Sequence, residues 1–148
     1  MKFTTVKNIV FGAFAVIGGT LADAMGGWDT ALRVLICAMS ADYITGLLVA
    51  LIWHNSSKTD TGAASSAAGF KGLVKKCAIL IFVWFGASLD LLIGGTWVRS
   101  AVILFFTANE GLSILENMGA MGIEYPEPIR EALEALKKEA KDKGKHEK

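Results

Sequence analysis

Charge is scarce in this chain, and the side chains that usually carry chemistry are scarcer. Of 148 residues only 20% are charged, and the sequence holds two histidines, two cysteines and two prolines. An ordinary soluble domain carries about 25% charged residues. His54 and His146 both stand in polar segments without a spaced partner. No HExxH, GxSxG or phosphate-loop pattern occurs, which removes the zinc-protease, serine-hydrolase and nucleotide-hydrolase classes. Glu110 and Glu116 are six residues apart, so paired-carboxylate catalysis would need other helices to complete it. Cys37 and Cys77 lie inside apolar stretches with no metal-ligand spacing and read as small apolar fillers. The net charge of +1 gives no electrostatic footprint for nucleic acid. The expectation is a chain that is not an enzyme and takes no cofactor and no metal.

What the chain does have is hydrophobic length. Hydrophobic residues make up 53% of it, with a mean hydropathy of +0.45. They are gathered in four blocks, 9–24, 31–53, 73–94 and 97–121. A helix crosses a bilayer with about 20 mostly apolar residues. The blocks therefore predict an all-α integral membrane protein of about four transmembrane helices, with a membrane domain over 1–124. Gly26-Gly27-Trp28-Asp29 and Gly94-Gly95-Thr96 read as short turns, and the polar, small-residue stretch 54–69 as a flexible loop. Trp28 and Trp53 suit the membrane interface.

Lysine and arginine placement sets the orientation. With four spans, Lys2, Lys7, Lys58, Lys71, Lys75, Lys76 and the basic residues from Arg130 onward share one side, and only Arg33 and Arg99 face the other. Both termini are then cytoplasmic. A three-span chain would put Lys2 and Lys7 outside. The first block also resembles a cleavable secretory signal, with Ala22-Asp23-Ala24 as its cleavage site, and its weak hydrophobicity suits an interfacial helix as well.

Residues 125–148 form a charged tail. Pro126 and Pro128 open a short helix to about 143, on which Ile129, Leu133, Leu136 and Ala140 share a narrow face. Glu134 with Lys138, and Glu139 with Lys143, make favourable i,i+4 pairs. The tail is expected to be a solvated, amphipathic cytoplasmic helix whose last lysines are disordered or touch anionic headgroups.

Ionisable residues inside spans are the informative signal, because each costs about 2.5–3.5 kcal/mol at a helix centre on insertion scales. Asp23, Asp42, Asp90, Glu110 and Glu116 stand there. Each aspartate has a small residue four positions before and after it: Gly19 and Gly27, Ala38 and Gly46, Gly86 and Gly94. Small-xxx-small faces are close-packing surfaces between membrane helices. In the fourth block, Asn109, Glu110, Ser113, Glu116 and Asn117 cover an arc of about 120°. This polar stripe could form a buried network inside one subunit, sit wet at the interface, or line water in an assembly.

Taken together, GGWD at 26–29, DYITG at 42–46, GFKGLVKK at 69–76, Asp90 and NEGLSILEN at 109–117 resemble the lysis and toxin-secretion holins of Gram-positive bacteria and their phages, the group that includes the clostridial toxin-release holins. The central loop is longer and richer in alanine and serine than is usual in that group. The resemblance implies a homo-oligomer in the bacterial cytoplasmic membrane that opens large holes, through which a cell-wall hydrolase or toxin passes without specific binding. It assigns assembly and pore formation to Asp42, Gly46, Asp90, Asn109, Glu110, Ser113, Glu116 and Asn117. The lipid bilayer is the other expected partner. Two alternatives stand beside it: a small ion or proton channel or transporter built on the same embedded carboxylates, and a non-conducting assembly factor that recruits a partner through the cytoplasmic tail.

Overall fold

The computed structural model describes residues 3–59 and 61–143. They form five α-helices: α1 (Phe3–Ala24), α2 (Thr30–Leu48), which runs on through a π-helical turn at Val49–Trp53, α3 (Ser66–Ile93), α4 (Trp97–Ala120) and α5 (Glu127–Lys143). The first four are each long and apolar enough to cross a membrane. At about 1.5 Å per residue, the 24 residues from Thr30 to Trp53 reach about 36 Å, enough for a hydrocarbon core of about 30 Å.

The helix ends follow from local chemistry. Gly26 and Gly27 take positive φ values of 88° and 101°, and the Gly27 amide closes back onto the Ala22 carbonyl at 2.9 Å. Asp29 then caps α2, its carboxylate accepting the Leu32 amide at 2.8 Å. Gly94, at φ 70°, ends α3. α3 begins at Ser66, well before the apolar block at 73. Its first two turns, SAAGFKG, are mostly small residues and carry Lys71 ahead of the continuous apolar run.

α2 and α3 are joined by the central loop, residues 54–65, and α3 and α4 by the short turn at 94–96, and the three helices pack together. Leu32, Leu35 and Met39 from α2, Ile79 and Val83 from α3, and Ile103 from α4 form the core with Met25. In α2 and α3 the buried positions recur at i, i+3 and i+7, one face of each helix, and in α4 Ile103 and Glu110, seven apart, meet them. Those same faces carry the charges: α2's stripe reaches Asp42, α3's begins at Lys76 and ends at Asp90, and α4's includes Glu110. At Gly86 the backbones of α3 and α4 meet, and a Cβ there would lie 3.2 Å from the Arg99 Cα.

α1 stands apart. Only 6% of its apolar window is buried, against 28%, 33% and 22% for α2, α3 and α4. Phe11, Phe14, Val16, Ile17 and Leu21 are all exposed. Among its described side chains the sole buried one is Ala22, two positions before the helix end. This surface demands lipid or another helix.

The tail helix does not project freely. α5 folds back along α4, and the side chain of Leu133 settles where a Cβ on Gly111 would be only 2.8 Å away. Ala108 and Leu115, on the same face as Gly111, are buried. The outer face of α5 keeps its charges, with Arg130 donating to Glu134 at 3.2 Å. Of residues 141–148, expected to be disordered, 141–143 continue α5 and 144–148 lie outside the described residues, as does Lys2.

Replacing Gly86 with valine should force α3 from α4 and cost about 1–3 kcal/mol of stability. Gly12 has open space around it, so Gly12→Ala should leave the bundle's unfolding unchanged. Denaturant titration of the detergent-solubilised chain compares the two.

Candidate functional site: a buried ion network at mid-bundle

Asp42 lies midway between Thr30 and Trp53, about 18 Å from either end of that span. Burial of a lone carboxylate at this depth would be prohibitive. The sequence answers it from the next helix. The Lys76 ammonium donates to Asp42 Oδ2 at 2.7 Å and to Glu110 Oε2 on α4. All three residues are buried. Three helices thus each contribute one charge to a single ammonium-centred contact.

A polar shell completes the network. Asn117 Nδ2 donates to Thr45 Oγ1 at 2.9 Å and to Asp42 Oδ1 at 3.2 Å, and Ser113 lines the same cleft as Asp42. Lys58, from the central loop, brings a second ammonium to 3.7 Å of Asp42 Oδ1. Two carboxylates therefore face two ammoniums, and the charge is balanced inside one copy. Gly46 makes room, since a Cβ there would be 3.5 Å from Lys58 Nζ and 3.7 Å from Asn117 Nδ2.

The polar stripe of α4 is thereby split lengthwise. Glu110, Ser113 and Asn117 turn inward to the network. Asn109 and Glu116, seven residues apart on one edge, turn away from it, and neither makes a hydrogen bond or ion pair among the described residues. Glu116 is exposed and Asn109 half-buried.

Asp90 belongs to a different structure at the opposite end. Its two carboxylate oxygens accept the amides of Val98 and Arg99, each at 2.9 Å, so a side chain of α3 caps α4. Arg99 reaches back to the α1–α2 turn, donating to the carbonyl oxygens of Met25 and Gly27 and to Asp29 Oδ2 at 2.6 Å. A Cβ on Gly26 would fall 2.8 Å from the Arg99 side chain, so glycine is required there for approach as well as for its backbone angle. Arg99 beside Asp29 holds that carboxyl below its ordinary value.

The small-residue pattern divides in the same way. Gly46, Gly86 and half-buried Ala38 lie within the helix bundle. Gly27 and Gly94 lie outside the helices in positive-φ turns and end helices instead of lining grooves. Asp23 is exposed, and Gly19 has nothing within contact distance. In the sequence Lys76 reads as an orientation signal and as part of the GFKGLVKK match, not as the partner of buried carboxylates. The available clue was its register, because Lys76 falls three and seven residues before Ile79 and Val83 on the buried stripe, whereas Lys75 does not. Among the described residues no group of histidine, cysteine, aspartate or glutamate side chains gathers as a metal site, and Cys37 and Cys77 are free and exposed.

The chain's similarities agree with this architecture. Residues 19–138 match the bacteriophage holin family. A Listeria monocytogenes protein described as uncharacterized is 40% identical over 137 residues, covering 91% of this chain and 90% of its own length. The 14.9 kDa protein in the nagH 3′ region of Clostridium perfringens is 33% identical over 133 residues, covering 88% of this chain and 95% of its own. A probable holin of Bacillus phage phi105 is 30% identical over 106 residues, covering 71% and 73%. No solved structure matches.

Two outcomes follow from the geometry. Lys76→Met strands two buried carboxylates and should cost about 3–5 kcal/mol, whereas Lys76→Met combined with Asp42→Leu and Glu110→Leu should recover most of that loss. Denaturant unfolding in detergent measures both. The Asp29–Arg99 contact should contribute stability that is complete above the ordinary carboxyl value of 3.8 and is lost as pH falls through the lower folded value. An acid titration followed by helicity should show this step in the native chain and lose it in Asp29→Asn.

With four helices fit to cross a bilayer, a charge network closed within them and a family match over most of its length, the chain belongs to the bacteriophage holin family.

Proposed function

We propose that this protein is a working holin: copies gather in the bacterial cytoplasmic membrane, with both termini cytoplasmic, and open holes that release a cell-wall hydrolase or toxin. Family membership supports the general role, and the two sides of α4 support the mechanism. Its inner side is closed by the Lys76 network. Its outer side is bracketed by polar groups, with Asn109 and Glu116 on one edge and the charged face of α5 on the other. Hydrocarbon cannot satisfy either.

Assembly resolves this. Copies that turn the outer side of α4 toward a shared lumen hydrate Asn109, Glu116 and α5 together. The exposed apolar faces of α1, α2 and α3 remain toward lipid or toward neighbouring copies. The buried network stays intact and keeps each copy rigid while the copies rearrange. No step calls for catalysis, and the cargo needs no binding site.

A small channel is the second reading, because a cleft leads from the lysine-rich end of the bundle to Asp42 and Lys76. Cargo size separates the two. Timed expression in bacteria should release a folded cytoplasmic enzyme, and the Asn109→Leu, Glu116→Leu double variant should accumulate in the membrane without releasing it. Loss of membrane potential with no protein release would favour the channel. Full release by the double variant would remove α4's outer edge from the mechanism.

A further inference from the structure

A cavity of about 350 Å³ opens between α2, the central loop and the first turns of α3. We infer that it binds the phosphodiester headgroup of an anionic membrane phospholipid.

Charge is the first reason. Among the described residues, Lys58, Lys71, Lys75 and Lys76 line the cavity, against the one carboxylate of Asp42. Lys76 is committed to Asp42 and Glu110. Lys71 and Lys75 are exposed, four residues apart on one face of α3, and make no ion pair among the described residues. Two ammoniums are therefore left to face whatever enters. The Tyr43 ring stands against Gly69 and Gly72, where added Cβ atoms would lie 3.5 and 3.6 Å from it. Its hydroxyl lines the same space and has no hydrogen-bond partner among the described residues, which leaves a neutral donor beside the two free cations.

Size and position select a lipid over a soluble anion. Small-molecule sites span about 300–1,000 Å³, so this cavity takes a headgroup and leaves acyl chains outside. Directly beside Lys71 and Lys75, α3 exposes Phe70, Leu73 and Val74. Across the cleft α2 exposes Ile44, Leu47 and Leu48. A lipid whose phosphate enters the cavity can lay its chains along these apolar side chains, whereas a free phosphate gains nothing from them. Basic clusters at the end of a membrane bundle are the recognised setting for such contacts. The site is separate from α4's outer edge, so it stands whether or not the chain opens holes.

Native mass spectrometry of the detergent-solubilised full chain, titrated with phosphatidylglycerol or phosphatidylcholine, tests the assignment. The wild-type chain should retain phosphatidylglycerol over phosphatidylcholine. The Lys71→Ala, Lys75→Ala double variant should hold phosphatidylglycerol about 10- to 30-fold more weakly, and Tyr43→Phe about 2- to 10-fold more weakly. Lys138→Ala, on α5, should match wild type, and inorganic phosphate should not displace the lipid. Equal retention of the two lipids would overturn the proposal, as would an unchanged double variant. Complete displacement by phosphate would reassign the cavity to a soluble anion and equally end it.

Discussion

The Lys76 ammonium is held between Asp42 and Glu110 in a place where none of the three could stay charged alone. Removing any one leaves uncompensated charge in a medium that charges it several kcal/mol. Because the partners come from α2, α3 and α4, their pairing fixes the rotation of all three helices about their axes. Leu35, Ile79 and Ile103 face one another because Asp42, Lys76 and Glu110 do. In lipid, where apolar side chains gain little by leaving their surroundings, such polar contacts carry much of the specificity of helix pairing.

The other end of the bundle is secured differently. There the connections are short, and the groups to be satisfied are backbone amides and carbonyls. Asp90 takes two amides at the start of α4, and Arg99 takes the carbonyls of the α1–α2 turn. α1 is tethered through this turn and otherwise free of the bundle. The molecule therefore has a rigid part, α2 to α4, and a lipid-facing helix with freedom to find a partner. That division suits the proposed role, in which copies gather in the membrane.

The hydrophobic blocks were legible because a bilayer imposes a length that few soluble helices share. Turns at Gly26-Gly27 and Gly94-Gly95 were legible from glycine's access to positive φ. Which face of each helix turned inward was harder to read. Asn109, Glu110, Ser113, Glu116 and Asn117 form one stripe on a helical wheel, and only a cation supplied by α3 decides that it is divided between Glu110 and Glu116. Lys76 was hidden beside Lys75, since a double lysine at a span's edge ordinarily marks the membrane surface. Asp90's capping role needed the α3–α4 turn to bring residues eight and nine positions later onto its carboxylate. The docking of α5 on α4 was not legible, because the apolar stripe of α5 is narrow enough for a solvated helix and the groove that receives it depends on Gly111, a residue that carries no side-chain signal.

The central claim is that α4 has a closed inner side and a wet outer one, and water-borne labelling measures that directly. In a chain with Cys37 and Cys77 replaced by serine, single cysteines at Asn109, Glu116 and Ile103 can be exposed to a membrane-impermeant thiol reagent in spheroplasts, before and after enzyme release begins. The account predicts that Asn109→Cys and Glu116→Cys become labelled at release while Ile103→Cys, on the buried inner side of α4, stays protected. Labelling at Ile103→Cys with the other two protected would mean that the inner side of α4 opens to the lumen, and would contradict it.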